Sequence, residues 1–325
     1  MSEKNVILQV EGLKQYFPVK KGLFEEQRYV KAVNDVSFEL YEGETLGVAG
    51  ESGCGKSTLI RSCLNLIRPT EGSVKYRGQE LTAMSKAELR NCRKDMQIVF
   101  QDPYSSLDDK YRVKTLIEEP MVVNKLYKTG AERQARVEEL LEAVGLHADS
   151  GEKFPHEFSG GQRQRIIIAS ALATNPKLLM CDEPVSALDV SVRAQILNLL
   201  EKLQKEFKLT YLFVSHDMSV IEHIADRVMI MYLGKVMEIG PKREIFDKPA
   251  HPYTQALLSA VPRADEEGGG KDRIILEGDI PSPVNPPSGC VFHTRCPYAT
   301  ERCWKEAPAR KDLGNGHLVS CHLEE

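Results

Sequence analysis

Three features of this sequence predict an α/β fold built on a mainly parallel sheet. Gly50-Glu51-Ser52-Gly53-Cys54-Gly55-Lys56-Ser57 fits the pattern G-x-x-x-x-G-K-[ST], with an apolar run before it (residues 45–49) and Thr58-Leu59-Ile60 after it, so it reads as strand, phosphate loop and helix. Downstream of Gly161, amphipathic and apolar segments alternate: helix 162–173, strand 178–181, helix 192–206, strand 211–214, helix 218–225. The run Leu178-Leu179-Met180-Cys181 ends in the carboxylates Asp182 and Glu183, as a buried strand does when it delivers acids to the carboxyl edge of a sheet.

The remaining elements follow in order. Residues 6–10 and 33–40 alternate apolar and polar side chains as half-buried strands do, and Gly43 turns the chain into the strand that feeds the loop. Arg68-Pro69-Thr70-Glu71-Gly72 is a turn, followed by strand 73–76, and Met96-Gln97-Ile98-Val99-Phe100 is a short buried strand. Between Asp102 and His156 the pattern becomes helical, over 113–123 and 132–144, with Pro120 and Gly130 as punctuation. Residues 228–231 and 235–239 form a hairpin through Leu233-Gly234, and the stretch past Pro249 is Pro- and Gly-rich and reads as a loop-heavy appendix.

Composition narrows the function. A chain of 325 residues with 42% hydrophobic content buries its own core, and 43 Lys+Arg against 47 Asp+Glu leaves no broad basic field for nucleic acid or an anionic membrane surface. The N-terminal residues lack a basic end followed by a long apolar stretch, and no run of about 18 apolar residues occurs, so a cytoplasmic protein is expected. Any membrane role then comes by docking. Cys54, Cys63, Cys92 and Cys181 are scattered and read as small reduced side chains, although the positive field of the loop is expected to lower the Cys54 pKa and leave it alkylatable.

The motifs define a chemistry. Successive backbone N–H groups of Gly50, Glu51, Ser52, Gly53, Cys54 and Gly55, with the positive end of the helix that carries Thr58, cradle the phosphates of a nucleoside triphosphate. Lys56 reaches the β- and γ-phosphates and the Ser57 hydroxyl ligates Mg²⁺. A glycine-rich turn alone does not explain the lysine. Asp182 holds Mg²⁺ through its water shell, Glu183 orients the attacking water, Gln101 at its strand end can contact Mg²⁺ or the water, and His216 at the same edge reads either as a structural histidine or as a γ-phosphate sensor.

Phe158-Ser159-Gly160-Gly161-Gln162-Arg163-Gln164-Arg165 resembles the signature motif of ATP-binding-cassette (ABC) ATPases. The full series occurs here in that family's order: phosphate loop, Gln101, signature, Asp182-Glu183, Ser186-Ala187-Leu188-Asp189 (the D-loop), His216. The resemblance implies a cassette with an N-terminal antiparallel β subdomain, a helical subdomain at about 102–175 and a small Cys-rich C-terminal extension, divided as 1–250 and 251–325. It also implies that Ser159, Gly160, Gly161 and Gln162 contact ATP held by a second cassette, so that two cassettes enclose two nucleotides head to tail. Phe17, with Tyr16 as the fallback, stands where the family places an aromatic against adenine.

Pro184-Val185-Ser186-Ala187-Leu188-Asp189-Val190-Ser191-Val192-Arg193-Ala194-Gln195 and His251-Pro252-Tyr253-Thr254-Gln255-Ala256-Leu257-Leu258 resemble the ATP-binding subunits of oligopeptide and dipeptide importers, in particular the F-type subunit that works opposite a D-type paralogue. What this implies is ATP hydrolysis on the cytoplasmic face of the cell membrane, with two permease subunits and an extracytoplasmic solute-binding protein as partners and no nucleic acid. Nickel and glutathione importers use similar cassettes. A soluble ABC ATPase of DNA repair or translation would carry long coiled coils or two cassettes, and a redox-sensing module with structural ATP would not need Glu183 and His216.

Cys290, Cys296, Cys303 and Cys321 are separated by five, six and seventeen residues. That spacing lacks the short C-x₂₋₄-C knuckles of structural zinc and leaves a [4Fe–4S] cluster, zinc and free thiols open. Peptide-importer cassettes carry a similar cysteine set, which by resemblance favours the cluster.

Overall fold

The computed structural model describes residues 5–20, 26–261 and 274–324; residues 1–4 of the N-terminal segment considered above lie outside it. Its strands are β1 (Val6–Pro18), β2 (Tyr29–Tyr41), β3 (Thr45–Ala49), β4 (Glu71–Tyr76), β5 (Gln79–Glu80), β6 (Met96–Val99), β7 (Leu178–Asp182), β8 (Thr210–Val214), β9 (Arg227–Tyr232), β10 (Lys235–Pro241), β11 (Lys311–Asp312) and β12 (Leu318–Val319). They fall into two compact units, one of residues 41–44 and 84–214, the other of residues 5–40, 45–83 and the described part of 215–325.

In the first unit β6, β7 and β8 run parallel, in register from Met96 against Leu178 and from Leu178 against Thr210. Every residue of β7 and β8 is buried, which is why these strands read as unbroken apolar runs. The helical stretch provides helices Pro103–Ser106, Val113–Val123 and Gly130–Ala143. Pro120 does not punctuate the second of these but sits inside it. A proline there leaves the carbonyl four residues back without its N–H partner. Ser170 Oγ supplies the replacement, donating to Leu116 O at 3.1 Å, so a distant hydroxyl rescues the helix. Gly130 likewise opens rather than precedes a helix, with Thr129 and Glu132 forming a capping box.

In the second unit one sheet has the order β2-β1-β4-β5, antiparallel where β1 meets β4 and β4 meets β5. A mixed sheet contains β3 parallel to β9, and β9, β10, β12 and β11 antiparallel in succession. The β9–β10 turn places Leu233 at φ +44° and Gly234 at φ +74°, the two left-handed positions of a tight hairpin. The expected loop-heavy appendix is more ordered than its Pro and Gly content suggests. It contributes helix Pro252–Ser259, helix Glu301–Lys305 and the two short strands that extend the sheet past β10, and Phe292 within it is fully buried. Pro252 falls at a helix start, where a proline is tolerated.

A buried carboxylate ties this C-terminal segment to β10. Glu238, wholly inaccessible, accepts from His317 Nε2 at 2.6 Å and from the backbone N–H groups of Ala250 and His251 at 2.8 and 3.1 Å. His251 in turn caps helix Pro252–Ser259 by accepting from the Tyr253 N–H on Nδ1, and burial lowers its pKa from 6.5 to about 4 despite the neighbouring Glu238. Between these values the unfolded chain binds a proton that the folded one refuses, so this group's contribution is intact above pH 6.5 and falls away toward pH 4, by about 3 kcal/mol at most. His251→Asn, which keeps a capping oxygen, should flatten the loss of thermal stability between pH 6.5 and 4.5; an unchanged slope would clear His251 of that acid sensitivity.

Candidate nucleotide site

The glycine loop expected to hold phosphate lies between β3 and helix Lys56–Cys63. Gly50, Gly53 and Gly55 have φ of +150°, +79° and +107°. A Cβ on Gly50 would stand 2.2 Å from Met231 O, and one on Gly55 would stand 2.0 Å from Ala32 O, so these two positions admit only hydrogen. The helix has Gly55 at its N-cap and therefore no capping side chain. Lys56, 5% exposed, curls back to donate to Gly50 O at 2.7 Å and Glu51 O at 3.0 Å. Cys54 is the small buried side chain expected, but burial raises its thiol pKa, with the Lys56 ammonium only partly opposing it, so the lowered pKa expected from the positive field of the loop does not occur.

Glu51 is held from outside the loop. Its N–H donates to Tyr253 Oη at 2.9 Å, and its carboxylate takes a two-pronged contact from Arg295, Nη1 to Oε2 at 2.7 Å and Nη2 to Oε1 at 3.1 Å. Neither Tyr253 nor Arg295 was among the expected site residues. The only hint of Tyr253 was its place in the His251-Pro252-Tyr253 sequence.

In the first unit, Asp182 ends β7 and is 2% exposed. Glu183 follows at φ +49°, a left-handed backbone rare outside glycine, with its N–H donating to Val214 O at 3.1 Å. Gln101, two residues past the end of β6, donates through Nε2 to Glu183 Oε2 at 3.2 Å. Strand β6 stops at Val99, one residue earlier than expected, and Phe100 is exposed. Adjacent parallel strands thus bring the amide and the carboxylate together. Ser186 binds back to Glu183 O through both its N–H and its hydroxyl, and Asp189 caps helix Val190–Phe207 through Val192 N, so Ala187 and Leu188 lie in a turn braced at both ends.

Ser159 caps helix Gly160–Leu172 in a reciprocal box with Gln162: Ser159 N donates to Gln162 Oε1 at 3.0 Å. Both side chains are exposed, whereas Gly161 is buried with a virtual Cβ 2.4 Å from Val192 Cγ1. In the second unit, His216 is exposed just before helix Met218–Ile224, Phe17 is half-buried at the end of β1, and the Tyr16 hydroxyl donates to Asn34 Oδ1 at 2.6 Å. Ser57 and Thr58 lie in the first turn of helix Lys56–Cys63, and Ser52 lies in the loop.

Cys290, Cys296, Cys303 and Cys321 lie close enough that each thiol interacts electrostatically with the other three, and Cys290 N donates to Cys303 O at 2.8 Å. Burial raises the pKa of Cys290, Cys296 and Cys321, the last to about 11. Yet among the described residues no three His, Cys, Asp or Glu side chains converge on a position for one metal ion. The expected four-thiol metal site, whether for a cluster or for zinc, is therefore not formed among the described residues.

Parallel strands that end in a glycine loop with an invaginated lysine, and in a carboxylate gripped by a glutamine, define a nucleoside triphosphatase of the phosphate-loop class. Residues 33–186 match the ABC transporter family and residues 237–303 match the C-terminal region of oligopeptide/dipeptide transporters. The chain is 53% identical to the oligopeptide transport ATP-binding protein AppF of Bacillus subtilis, over 99% of this chain and 98% of that one. It is 49% identical to the dipeptide transport ATP-binding protein DppF of Escherichia coli, over 97% and 93%. Among solved structures it resembles the dimeric ATP-binding cassette MJ0796 in a post-hydrolysis state with ADP and Pi, at 31% identity and TM-score 0.64, covering 73% of this chain and 99% of that one. The chain belongs to the ABC transporter family and is an ABC ATPase. No helix among the described residues is long and apolar enough to cross a membrane.

Gly55→Ala should abolish ATP binding and cost about 2 kcal/mol of stability, because the methyl meets a carbonyl and the φ is strained. Gly53→Ala, with the same kind of φ but open space, should cost about 1 kcal/mol and keep measurable binding. Equal behaviour of the two in thermal melts and ATP titrations would disprove the close-contact argument.

Proposed function

We propose that this chain is the ATP-hydrolysing subunit of an importer for dipeptides or oligopeptides. It rests on relatives of that description matched over nearly the whole chain. Nickel or glutathione uptake is the second choice of cargo. Residues 1–250 act as the cassette, with a helical subdomain at about 102–175, and 251–325 as the extension. A second cassette, a D-type paralogue, completes the site, and two permease subunits and a solute-binding protein complete the transporter, which places the chain on the cytoplasmic face of the membrane.

The contact between Gln101 and Glu183 carries the catalytic reading. Glu183 accepts a proton from the attacking water, and Gln101 fixes the carboxylate at the right angle before nucleotide arrives. Backbone N–H groups of the loop bind the phosphates, Lys56 turns from its loop carbonyls to them, and His216 contacts the γ-phosphate. Phe17 stacks on adenine. The hydroxyl of Ser57, the amide of Gln101 and the carboxylate of Asp182 are hard oxygen donors suited to Mg²⁺, which when bound neutralises phosphate charge. Ser159, Gly160, Gly161 and Gln162 serve the partner's ATP, and Ser186, Ala187, Leu188 and Asp189 face the partner across the dimer. ATP closes the two cassettes and hydrolysis reopens them, moving the permease.

Cys290, Cys296, Cys303 and Cys321 hold a [4Fe–4S] cluster in this reading. Each thiolate of such a cluster binds a different iron, so the sulfurs gather without sharing one ion. Anaerobically purified protein should contain about four iron and four sulfide per chain; stoichiometric zinc without iron would refute the cluster. Glu183→Gln should keep ATP affinity, lower turnover of the assembled transporter at least about a hundredfold, and trap an ATP-bound cassette dimer. Unchanged turnover would remove Glu183 as the base.

A further inference from the structure

We infer that Arg295, in the cysteine-bearing C-terminal segment, is a positioning residue for the phosphate loop: by pairing with Glu51 it makes that segment part of the nucleotide site.

Glu51 occupies the second position of an anion-binding loop, where a carboxylate works against the loop's purpose. Its negative charge lowers the positive potential that the backbone N–H groups and Lys56 build for the phosphates. Arg295 cancels that charge with two hydrogen bonds in the fork geometry that a guanidinium and a carboxylate share. The pair is shielded, with side-chain exposures of 8% for Arg295 and 25% for Glu51, so solvent screens it weakly.

The fork is aimed by packing. Arg295 lies against the Tyr232 ring, its guanidinium carbon 5.9 Å from the centroid, and Tyr232 packs edge to face with Tyr253 and Phe292, which are tilted against each other, all with centroids 4.9 to 5.3 Å apart. Tyr253, from the same aromatic group, takes the Glu51 N–H. Backbone and side chain of one loop residue are therefore both fixed by residues more than 200 positions downstream. Lys56 rests on the carbonyl of that same residue, so the tether on Glu51 also sets where the lysine waits. Arg295 precedes Cys296 in the chain, and the turn that carries it is hydrogen-bonded to Phe292 O and follows Cys290. Any ligand that gathers the four thiols thereby acts on the loop through one side chain.

This inference rests on the ATPase reading, and its test separates the two. ATP affinity is measured on the full-length chain for wild type, Arg295→Met, Glu51→Gln and the double variant, with thermal midpoints recorded in parallel. Arg295→Met should weaken ATP binding about tenfold in the wild-type background, within the range usual for coupled sites, because it leaves an uncompensated carboxylate beside the phosphates. In the Glu51→Gln background, where no such charge exists, the same change should cost less than about threefold. A tenfold loss in both backgrounds would mean that Arg295 acts only through folding and would overturn the inference, as would no loss in either. If Arg295→Met does not fold, Arg295→Lys, which keeps the charge and loses the fork, is judged by the same comparison. Wild type that fails to bind ATP would instead overturn the ATPase reading.

Discussion

Everything in this protein is arranged around a backbone loop that must come within van der Waals contact of its neighbours. At Gly50 and Gly55 the chain passes so near Met231 O and Ala32 O that no side chain fits, and both glycines adopt dihedrals that other residues avoid. Lys56 is drawn under cover, onto the carbonyls of Gly50 and Glu51. Because Met231 lies in β9 and Ala32 in β2, the two sheets of the second unit are the mould in which the loop is cast. A fault in either sheet is therefore a fault in the shape of the loop.

The first unit shows how strand geometry substitutes for sequence proximity. Gln101 and Glu183 are 82 positions apart and meet because β6 and β7 are parallel and in register. The strained backbone at Glu183 is consistent with a side chain held for use rather than for stability. Behind it, Ser186 and Asp189 fasten the turn, and Gly161 lets the helix that begins at Ser159 approach Val192. The exposed serine and glutamine of that helix satisfy each other, a capping box that keeps the helix terminus ordered while it faces solvent.

Most of this was readable in the residues. Local pattern is strong where a motif must be contiguous, so the loop, the apolar strand ending in Asp182-Glu183 and the Ser159-Gly160-Gly161 turn were all placed correctly, and the strands of β7 and β8 declared themselves by unbroken burial. What stayed hidden depends on partners remote in sequence. Pro120 looks like a helix breaker unless Ser170 is known to lie against Leu116. Cys54 looks electropositive until its burial is counted. The appendix looks like loop because its order comes from Glu238, His317 and Phe292 and from two-residue strands, features too short or too non-local to leave a periodic trace.

The two-residue strands of that appendix have a meaning of their own. Strand β10 would otherwise present a largely buried border with open hydrogen-bonding groups, a template for pairing with another chain. Leu318 and Val319 occupy that border, and the outermost position passes to Lys311 and Asp312, which are exposed, charged and too short to recruit a neighbour. The tail thus works as a selvedge: it stops the weave of the sheet, and a chain cut short of it would be exposed to fibrous self-association however sound its catalytic parts.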